Sequence, residues 1–258
     1  MGADIVSHFI ERLTWDEVAR RIAAGRPAIL PIGAAAKQHG FHLPLNTDRL
    51  QAEWFAAHLA ERFDALIWPT VTYGHYPAFV AYAGSASLSA ATFEAMVHEI
   101  AVGILDGGVN RLFVLNTGIS TLAPVERALA PFEPARVRHL RLYQGPRFRR
   151  TAEQISEQRH GSHADELETS LMLALAPDVV DPERAEASPA LRHEAPGRLT
   201  PSDSTSPNYS RSGSYGDPTL ATSAKGEALL AAILDDLGDQ VAAALGENAM
   251  PRRRGTPR

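Results

Sequence analysis

The chain has 258 residues, a formal net charge of −5 and a pI near 6.1, a balance that argues against general nucleic-acid binding. It contains no cysteine, so disulfides, thiolate metal sites and cysteine nucleophiles are excluded. Residues 1–14 lack the pattern of a signal peptide, and no apolar run approaches the roughly 18 residues of a membrane span. We therefore expect a cytoplasmic protein with a small-molecule substrate and no membrane or nucleic-acid partner.

Apolar runs alternate with amphipathic stretches along the chain, beginning with a capping-box pattern at residues 14–17. This β-α-β-α-β alternation predicts a parallel sheet with helices on both faces, which is an α/β fold. The predicted strands are 28–33, 65–69, 111–116 and 137–143, and the predicted helices are 14–25, 47–63, 92–105, 166–175, 221–245 and one that starts near Leu122.

Three segments are predicted to lack regular structure. Residues 147–161 are charged and predict a mobile loop. Residues 182–215, rich in Pro, Ser, Arg and Gly, predict a lid or an excursion toward a neighbouring subunit. Residues 251–258 predict a disordered basic tail, which leaves one domain over residues 1–250.

The loop after the first predicted strand carries two histidines and an aspartate, namely His39, His42 and Asp48. Open α/β sheets bind their ligands beyond the carboxyl ends of their strands. Imidazole and carboxylate are also the groups that zinc and manganese accept. The alternative is an ordinary capped loop, in which Asp48 is a helix N-cap and both histidines are surface polar residues.

A second group, His163 and Glu168, precedes and enters the predicted helix 166–175. Acidic residues in a first helical turn commonly serve the helix dipole alone. The segment Glu168-Thr169-Ser170, however, precedes the apolar residues 171–173, and a carboxylate at the edge of a buried stretch needs a partner. This pair is therefore a second candidate site.

Four segments together resemble the creatininase family of metal-dependent amidohydrolases. Residues 33–48 read Gly-x-x-x-x-Gln-His-Gly-x-His-Leu-Pro-x-x-x-Asp, similar to the first hallmark of that family. Residues 163–170 resemble the second hallmark of the family. The predicted strand that ends at residues 115–118 falls where the family has its third. Residues 213–227 resemble the closing segment of the family.

The resemblance implies a three-layer α/β/α sandwich with a mostly parallel central sheet, often assembled as a homohexamer. Family members open cyclic or linear amides with a water activated between two divalent metals. The resemblance also implies that His39 and Asp48 are metal ligands. It implies His163 as proton shuttle and Glu168 as the partner of His163 in the active site.

The chain departs from this family at three expected ligand positions. Lys37 stands where the family has a glutamate, Gly118 where it has a histidine, and Ser120 where creatininase itself places a carboxylate. We therefore expect one zinc or manganese ion per subunit at most, with the Lys37 ammonium replacing the charge of the other metal. The alternative for Lys37 is a solvated loop lysine.

A catalytic zinc needs a third protein ligand, for which His42, His75, His163, Glu166 and Glu168 are candidates. We expect His42, His75, Asn116 and Ser120 to contact substrate.

The predicted function is hydrolysis of an amide C–N bond by activated water, with His163 as base and then acid and Lys37 stabilising the oxyanion. Two alternatives stay open. One is the opening of a ring ketone with the help of Lys37, including a Schiff-base variant, and the other is a non-catalytic ligand-binding or assembly subunit.

Overall fold

A computed structural model describes residues 8–188 and 198–246 of the chain. The predicted basic tail and the middle of the predicted excursion lie outside the described residues. Four strands and seven α-helices alternate along the described chain. They are α1 (Trp15–Ala23), β1 (Ala28–Ile32), α2 (Thr47–Phe63), β2 (Leu66–Ile67), α3 (Ala90–Asp106), β3 (Leu112–Asn116), α4 (Leu122–Leu129), β4 (Val137–Arg141), α5 (Pro146–Ile155), α6 (Glu166–Leu175) and α7 (Ser223–Leu245). Short 3-10 helices cover Ile10–Arg12, Pro77–Phe79, Leu142–Gln144, Pro177–Val179, Pro182–Arg184 and Pro218–Leu220.

The strands form one parallel sheet in the order β2-β1-β3-β4. Strand β1 lies beside β3 in a register that pairs Ala28 with Leu112 and Ile32 with Asn116. Every residue of these two central strands is buried, as expected of a parallel sheet covered on both faces. The pairing therefore brings the carboxyl ends of β1 and β3 to the same edge.

Two apolar cores lie on opposite faces of the sheet. On one face, Ile29 and Phe113 pack with side chains from α2, α6 and α7. On the other, Leu30 and Val114 pack against α3 and α4. Neighbouring residues of one strand thus enter different cores, because side chains alternate along a strand. The predicted three-layer α/β/α sandwich is confirmed.

The predicted loop 147–161 was wrong over most of its length, because Pro146–Ile155 forms helix α5. Phe148, Ala152 and Ile155 recur at helical spacing and pack against the core beneath α2, α6 and α7. Buried Asp236 accepts hydrogen bonds from the backbone N–H groups of Arg147 and Phe148, at 3.2 and 2.9 Å. A residue distant in sequence therefore satisfies the first backbone N–H groups of this helix. The local charge pattern gave no sign of that contact.

The capping box predicted for α1 was also wrong in its chemistry. The Thr14 side chain makes no capping hydrogen bond to the backbone and instead donates to Asp16 Oδ1 at 2.6 Å. The other predicted helices are present, and the final one is capped by the Thr222 hydroxyl, which accepts from Lys225 N. The sequence thus predicted where these helices lie more reliably than it predicted how they are capped.

The described part of the 182–215 excursion packs against the loop that follows β2. Leu199 and Tyr215 share an apolar cluster with Tyr76, Phe79 and Tyr82. The Tyr82 hydroxyl lies 2.9 Å from that of Tyr215. The excursion therefore covers the same edge of the sheet to which β1 and β3 deliver their loops. Across the described residues, no helix has the length and apolar character that a membrane crossing requires.

Candidate active site

The loop after β1 brings its polar residues to the sheet edge because Gly33 allows α2 to approach closely. A Cβ atom at Gly33 would lie 2.4 Å from the backbone oxygen of Asp48. Only glycine therefore permits this contact between the end of β1 and the first turn of α2. Asn46 is the N-cap residue of α2, so Asp48 lies inside the helix and its side chain is free to face the loop.

Two side chains of the same loop approach Asp48, one at each carboxylate oxygen. Lys37 Nζ lies 2.7 Å from Oδ2, and His39 Nε2 lies 3.3 Å from Oδ1. The side chains of Lys37 and Asp48 are only 7% and 4% exposed. Lys37 is thus a buried, ion-paired residue rather than a solvated loop lysine. Its ammonium also lies 5.0 Å from the centroid of the Phe79 ring.

The hydrogen bonds of His39 and His163 fix which ring nitrogen of each carries hydrogen. His39 Nδ1 donates to the carbonyl of Lys37 at 2.9 Å, and His163 Nε2 donates to the carbonyl of Gln38 at 2.7 Å. A carbonyl oxygen only accepts, so these nitrogens are the donors. In the neutral rings, His39 Nε2 and His163 Nδ1 therefore carry lone pairs.

Both lone pairs face the carboxylate of Glu168. His39 Nε2 lies 3.8 Å from Glu168 Oε1, and His163 Nδ1 lies 3.6 Å from Glu168 Oε2. Lone pairs directed at a carboxylate repel it unless a proton or metal cation lies between them. The three side chains offer ligand atoms within 4.8 Å of one another. Two imidazoles and one carboxylate form a ligand set known from catalytic zinc sites, so these residues fit a divalent metal.

Glu168 is held by the backbone at the start of α6 and by one side chain of α2. Its Oε2 accepts from Ala164 N at 2.7 Å, where Ala164 has a φ of 45° in the left-handed region. Its Oε1 accepts from Gln51 Nε2 at 3.4 Å. The Gln51 Oε1 atom in turn accepts a hydrogen bond from the Tyr143 hydroxyl. Tyr143, Gln51 and Glu168 therefore form a chain of polar contacts across three elements.

Burial and neighbouring charges set the protonation of this cluster. Burial acts to raise the pKa of Asp48, but Lys37 and His39 outweigh it and hold that pKa well below its ordinary value. Burial, followed by the proximity of His39 and Lys37, lowers the pKa of His163 well below its ordinary value. Asp48 is therefore a carboxylate and His163 a neutral imidazole at neutral pH, and the neutral imidazole is the form that binds metals.

A cavity of about 620 Å³ opens onto this cluster. Its polar end is formed by Lys37, Asp48, His163 and Glu168. Apolar side chains form most of the remaining wall, and they include Ala78, Phe79, Ile119, Phe148, Leu167 and Leu199. The volume lies in the range of sites for small organic ligands.

Behind Lys37 and Asp48 lies a much smaller niche of about 10 Å³, close to the space of one water molecule. Asn116, Gly118, Ser120 and Thr121 contribute to its lining. A Cβ atom at Gly118 would lie 2.6 Å from Thr121 Oγ1, so a side chain there would require the Thr121 hydroxyl to move. Lys37, Gly118 and Ser120, the three departures from the family pattern, all line this niche.

The predicted substrate residues occupy different places. Ser120 lines both the cavity and the niche, whereas Asn116 lines the niche and bonds to Gly118 and Thr121 within its own turn. His42 is buried, with Nε2 2.8 Å from Thr169 Oγ1, and His75 Nδ1 donates to the carbonyl of Leu88 at 3.0 Å. Neither histidine is among the residues that line the cavity or the niche.

Sequence reasoning missed Gln51, Tyr143 and Phe79. Gln51 follows Asp48 by three positions, almost one helical turn, and its side chain is fully buried. A polar residue on the buried face of a helix was a signal that could have identified it. Tyr143 and Phe79 reach the cluster from separate segments, and no local pattern marks them. The Phe79 ring packs against His163 with 4.5 Å between ring centroids.

Comparisons with known proteins agree with this architecture. The creatininase family model, described as creatinine amidohydrolase, matches residues 11–241. A creatinine amidohydrolase of Pseudomonas putida is 29% identical over 264 residues, covering 91% of this chain and 96% of that protein. A mycofactocin precursor peptide peptidase of Mycolicibacterium smegmatis is 30% identical over 233 residues, covering 86% and 87%.

A solved structure described as "Creatininase Mn" superimposes with a TM-score of 0.79 at 27% identity. The superposition covers 92% of this chain and 98% of that one. The similarity therefore extends over the whole described sandwich, and the named activities of the two relatives in sequence are both hydrolytic. Since the family model spans nearly the entire chain, this protein belongs to the creatininase family.

Proposed function

We propose that this protein hydrolyses the C–N bond of a cyclic or linear amide, with one divalent metal ion, zinc or manganese, in each subunit. The observation that supports this most directly is the convergence of His39, His163 and Glu168, because the latter two also line an open cavity. Membership of a family of hydrolases gives the reaction class. The single ion follows from the cation that Lys37 already places on Asp48.

The metal would be held by His39 Nε2, His163 Nδ1 and Glu168, with Asp48 Oδ1 beside them. When bound, such an ion supplies a Lewis acid that activates water at neutral pH and polarises a carbonyl group. The chain contributes the orientation of the ligands, because the carbonyls of Lys37 and Gln38 fix both imidazole rings.

Lys37 and Asp48 would provide the remaining charges. The Lys37 ammonium, at the polar end of the cavity, would stabilise the negative charge that develops on the substrate carbonyl oxygen. Asp48 Oδ1, adjacent to His39, would accept a hydrogen bond from the attacking water. In the reaction a C–O bond to water forms and the C–N bond breaks. The leaving nitrogen takes up the proton that the attacking water loses.

A different division of roles retains His39 and Asp48 as the ligands and makes His163 the proton shuttle, as the family resemblance implies. The tautomer of His163 is compatible with both assignments, since Nδ1 carries the lone pair in each. The two assignments differ in what removal of His163 does to metal binding. A ligand is needed to retain the ion, whereas a shuttle is needed for turnover alone.

Elemental analysis of protein purified without added metal or chelator tests the proposal. We expect about one equivalent of zinc or manganese in the wild type and loss of most of it in His39→Ala, Glu168→Ala and His163→Ala. Full metal content in an inactive His163→Ala would assign the shuttle role to His163. Absence of metal from the wild type, after incubation with either ion, would refute the metal-dependent reaction.

The open alternatives are separated by experiments on Lys37. Its ion pair with Asp48 favours a charged ammonium over the neutral amine that a Schiff base requires. The sequence contains only two lysines, Lys37 and Lys225, so borohydride trapping with a ketone substrate would map without ambiguity. Labelling of Lys37 would favour the ketone reaction, and binding without turnover across an amide panel would favour the non-catalytic subunit.

We also propose a homo-oligomer, a hexamer by family resemblance, in which the 182–215 excursion contacts a neighbouring subunit or closes the cavity. The oligomer rests on the family resemblance alone, whereas closure of the cavity is supported by Leu199, which lies in the excursion and forms part of the cavity wall. Light scattering of the purified protein would measure the subunit number. A monomer in solution would leave the excursion as a lid.

A further inference from the structure

We infer that the natural substrate is a neutral amide that carries a sizeable apolar group, aromatic or branched aliphatic, rather than a small polar or charged amide. This inference rests on the proposed function and names its substrate class. Three features of the cavity support it, namely its size, its apolar wall and the engagement of every charged side chain that lines it.

The size of the cavity exceeds what the reacting group needs. About 620 Å³ lies within the 300–1,000 Å³ range of pockets that enclose drug-sized ligands. A metal ion, one water and a bare amide would fill only a small part of that space. The remainder must contact another part of the substrate if binding is to exclude water from the reacting groups.

The wall beyond the polar end is apolar on several sides. Phe79 and Leu199 belong to the apolar cluster at one side, and Phe148 lies at another, with its ring centroid 5.5 Å from that of Tyr143. Ile119 is 63% exposed although it directly follows the βα turn at Gly118. An isolated exposed isoleucine is ordinary, but one that lines an active-site cavity gains from covering by a ligand.

The charged side chains of the lining are already occupied. Lys37 pairs with Asp48, and Asp165 accepts from the backbone N–H groups of Leu167 and Glu168, each at 3.0 Å. Glu168 accepts from Ala164 and faces the two imidazoles. Within the part of the chain that the structure describes, the cavity wall beyond the polar end therefore offers no cation for a carboxylate substituent of the substrate. It also offers no carboxylate outside this network for an ammonium group.

Burial of an unpaired charge against this wall is unfavourable, because no polar group of the wall replaces the water that the charge loses. An apolar substituent gains instead from the removal of its surface from water. The cavity thus selects against charged substituents and in favour of apolar ones. The same contrast supplies the test.

The test uses hydantoins, which are cyclic amides, with hydrogen, benzyl, carboxymethyl or aminomethyl at ring carbon 5. We expect metal-loaded protein to turn over the benzyl compound with a kcat/KM at least tenfold above that of the carboxymethyl and aminomethyl compounds. Titration calorimetry of the same compounds measures the preference without turnover. Equal values, or preference for a charged substituent, would overturn the inference.

These two readouts separate this inference from the proposed function. Selective binding of the benzyl compound without hydrolysis of any amide would contradict the proposed function and support the apolar ligand class. Hydrolysis of all four compounds at similar rates would support the proposed amide hydrolysis and would overturn the inference of an apolar substrate class.

The variant Ile119→Ser tests the wall itself at a position that is exposed and therefore safe for folding. We expect it to lower the ratio of kcat/KM for the benzyl over the unsubstituted compound by roughly threefold to tenfold. Val179→Ser is the matched control, since Val179 is 44% exposed and lies outside the cavity wall. An unchanged ratio in Ile119→Ser and in a second variant, Phe148→Leu, would count against this assignment of the wall.

Discussion

Lys37 Nζ lies 2.7 Å from Asp48 Oδ2, and the two side chains are almost fully removed from solvent. Both residues line the cavity, and Asp48 also lies next to His39. A lysine cannot ligate a metal as an ammonium, but it can neutralise the same carboxylate. In the proposed site with one metal ion, Lys37 would supply the positive charge that Asp48 needs.

Loss of Lys37 should therefore lower the stability of the fold. We expect Lys37→Met to destabilise the fold by about 3–5 kcal/mol, because it leaves Asp48 as a buried carboxylate without its cation. Adding Asp48→Asn to that variant should restore part of the loss. Denaturant unfolding of the two single variants and the double variant measures the coupling between the residues. A coupling free energy near zero would show that the ion pair contributes nothing to stability.

The sequence predicted most of the frame that positions this pair. The apolar run that forms β1 and the polar loop behind it located His39 and Asp48 at the sheet edge, and the motif resemblance brought His163 and Glu168 to them. The sequence could not assign each oxygen of Asp48 to its partner, because that depends on the close approach of α2 at Gly33.

Other features depended on packing between distant elements. Helix α5 was missed because arginines separate its few apolar residues, and its first N–H groups are satisfied by Asp236, far along the chain. Gln51 and Tyr143 acquire their roles only when α2, α6 and the segment after β4 come together. Local patterns of charge and hydrophobicity do not record such contacts.

Gln51 offers a test of how Glu168 is oriented. We expect Gln51→Leu to lower kcat/KM or metal affinity by about 10- to 100-fold, because it removes the amide that donates to Glu168 Oε1. Tyr143→Phe should have a smaller effect in the same direction, since it frees the Gln51 amide to rotate. Amide turnover and metal titration measure the two quantities.

Gln154→Leu is the control for this substitution, because Gln154 is an exposed residue of α5. It should keep wild-type turnover and metal affinity. A Gln51→Leu enzyme with both properties intact would show that the backbone N–H of Ala164 alone is sufficient to position Glu168.

His139 on β4 predicts a loss of stability in acid. Burial, followed by the nearby Arg141, lowers the pKa of His139 from 6.5 to about 4. Both ring nitrogens are shielded and have no hydrogen-bond partner among the described residues. In the unfolded chain His139 therefore binds a proton near pH 6.5, whereas in the folded chain it binds one only near pH 4.

The stabilisation from neutral His139 is accordingly present above pH 6.5 and is lost as the pH falls through about 4. The loss amounts to about 3 kcal/mol. His139→Phe should remove this part of the acid sensitivity and the unpaired polar atoms together. Denaturant unfolding from pH 7 to pH 4 compares the two proteins. Parallel stability curves for wild type and variant would exclude His139 as the acid-sensitive group.

The last prediction concerns the second lysine, which holds the start of α6 behind Glu168. Glu166 is fully buried and accepts from Lys225 Nζ at 2.5 Å and from the backbone N–H groups of Glu157 and Gln158. Burial acts to raise the pKa of Glu166, but Lys225 and these N–H groups outweigh it and lower the pKa. The stabilisation is thus present above the ordinary glutamate pKa and is lost as the pH falls below it.

We expect Lys225→Met to destabilise the protein by about 2–4 kcal/mol at pH 7, less than a fully unpaired charge because the N–H donors remain. The difference in unfolding free energy between wild type and variant should narrow below about pH 4.5, because protonation of Glu166 then abolishes the ion pair in the wild type. Arg127→Met is the control, since the Arg127–Glu94 pair is exposed and should contribute about 0–1 kcal/mol. A deficit that stays constant from pH 7 to pH 4 would show that Lys225 acts through packing alone.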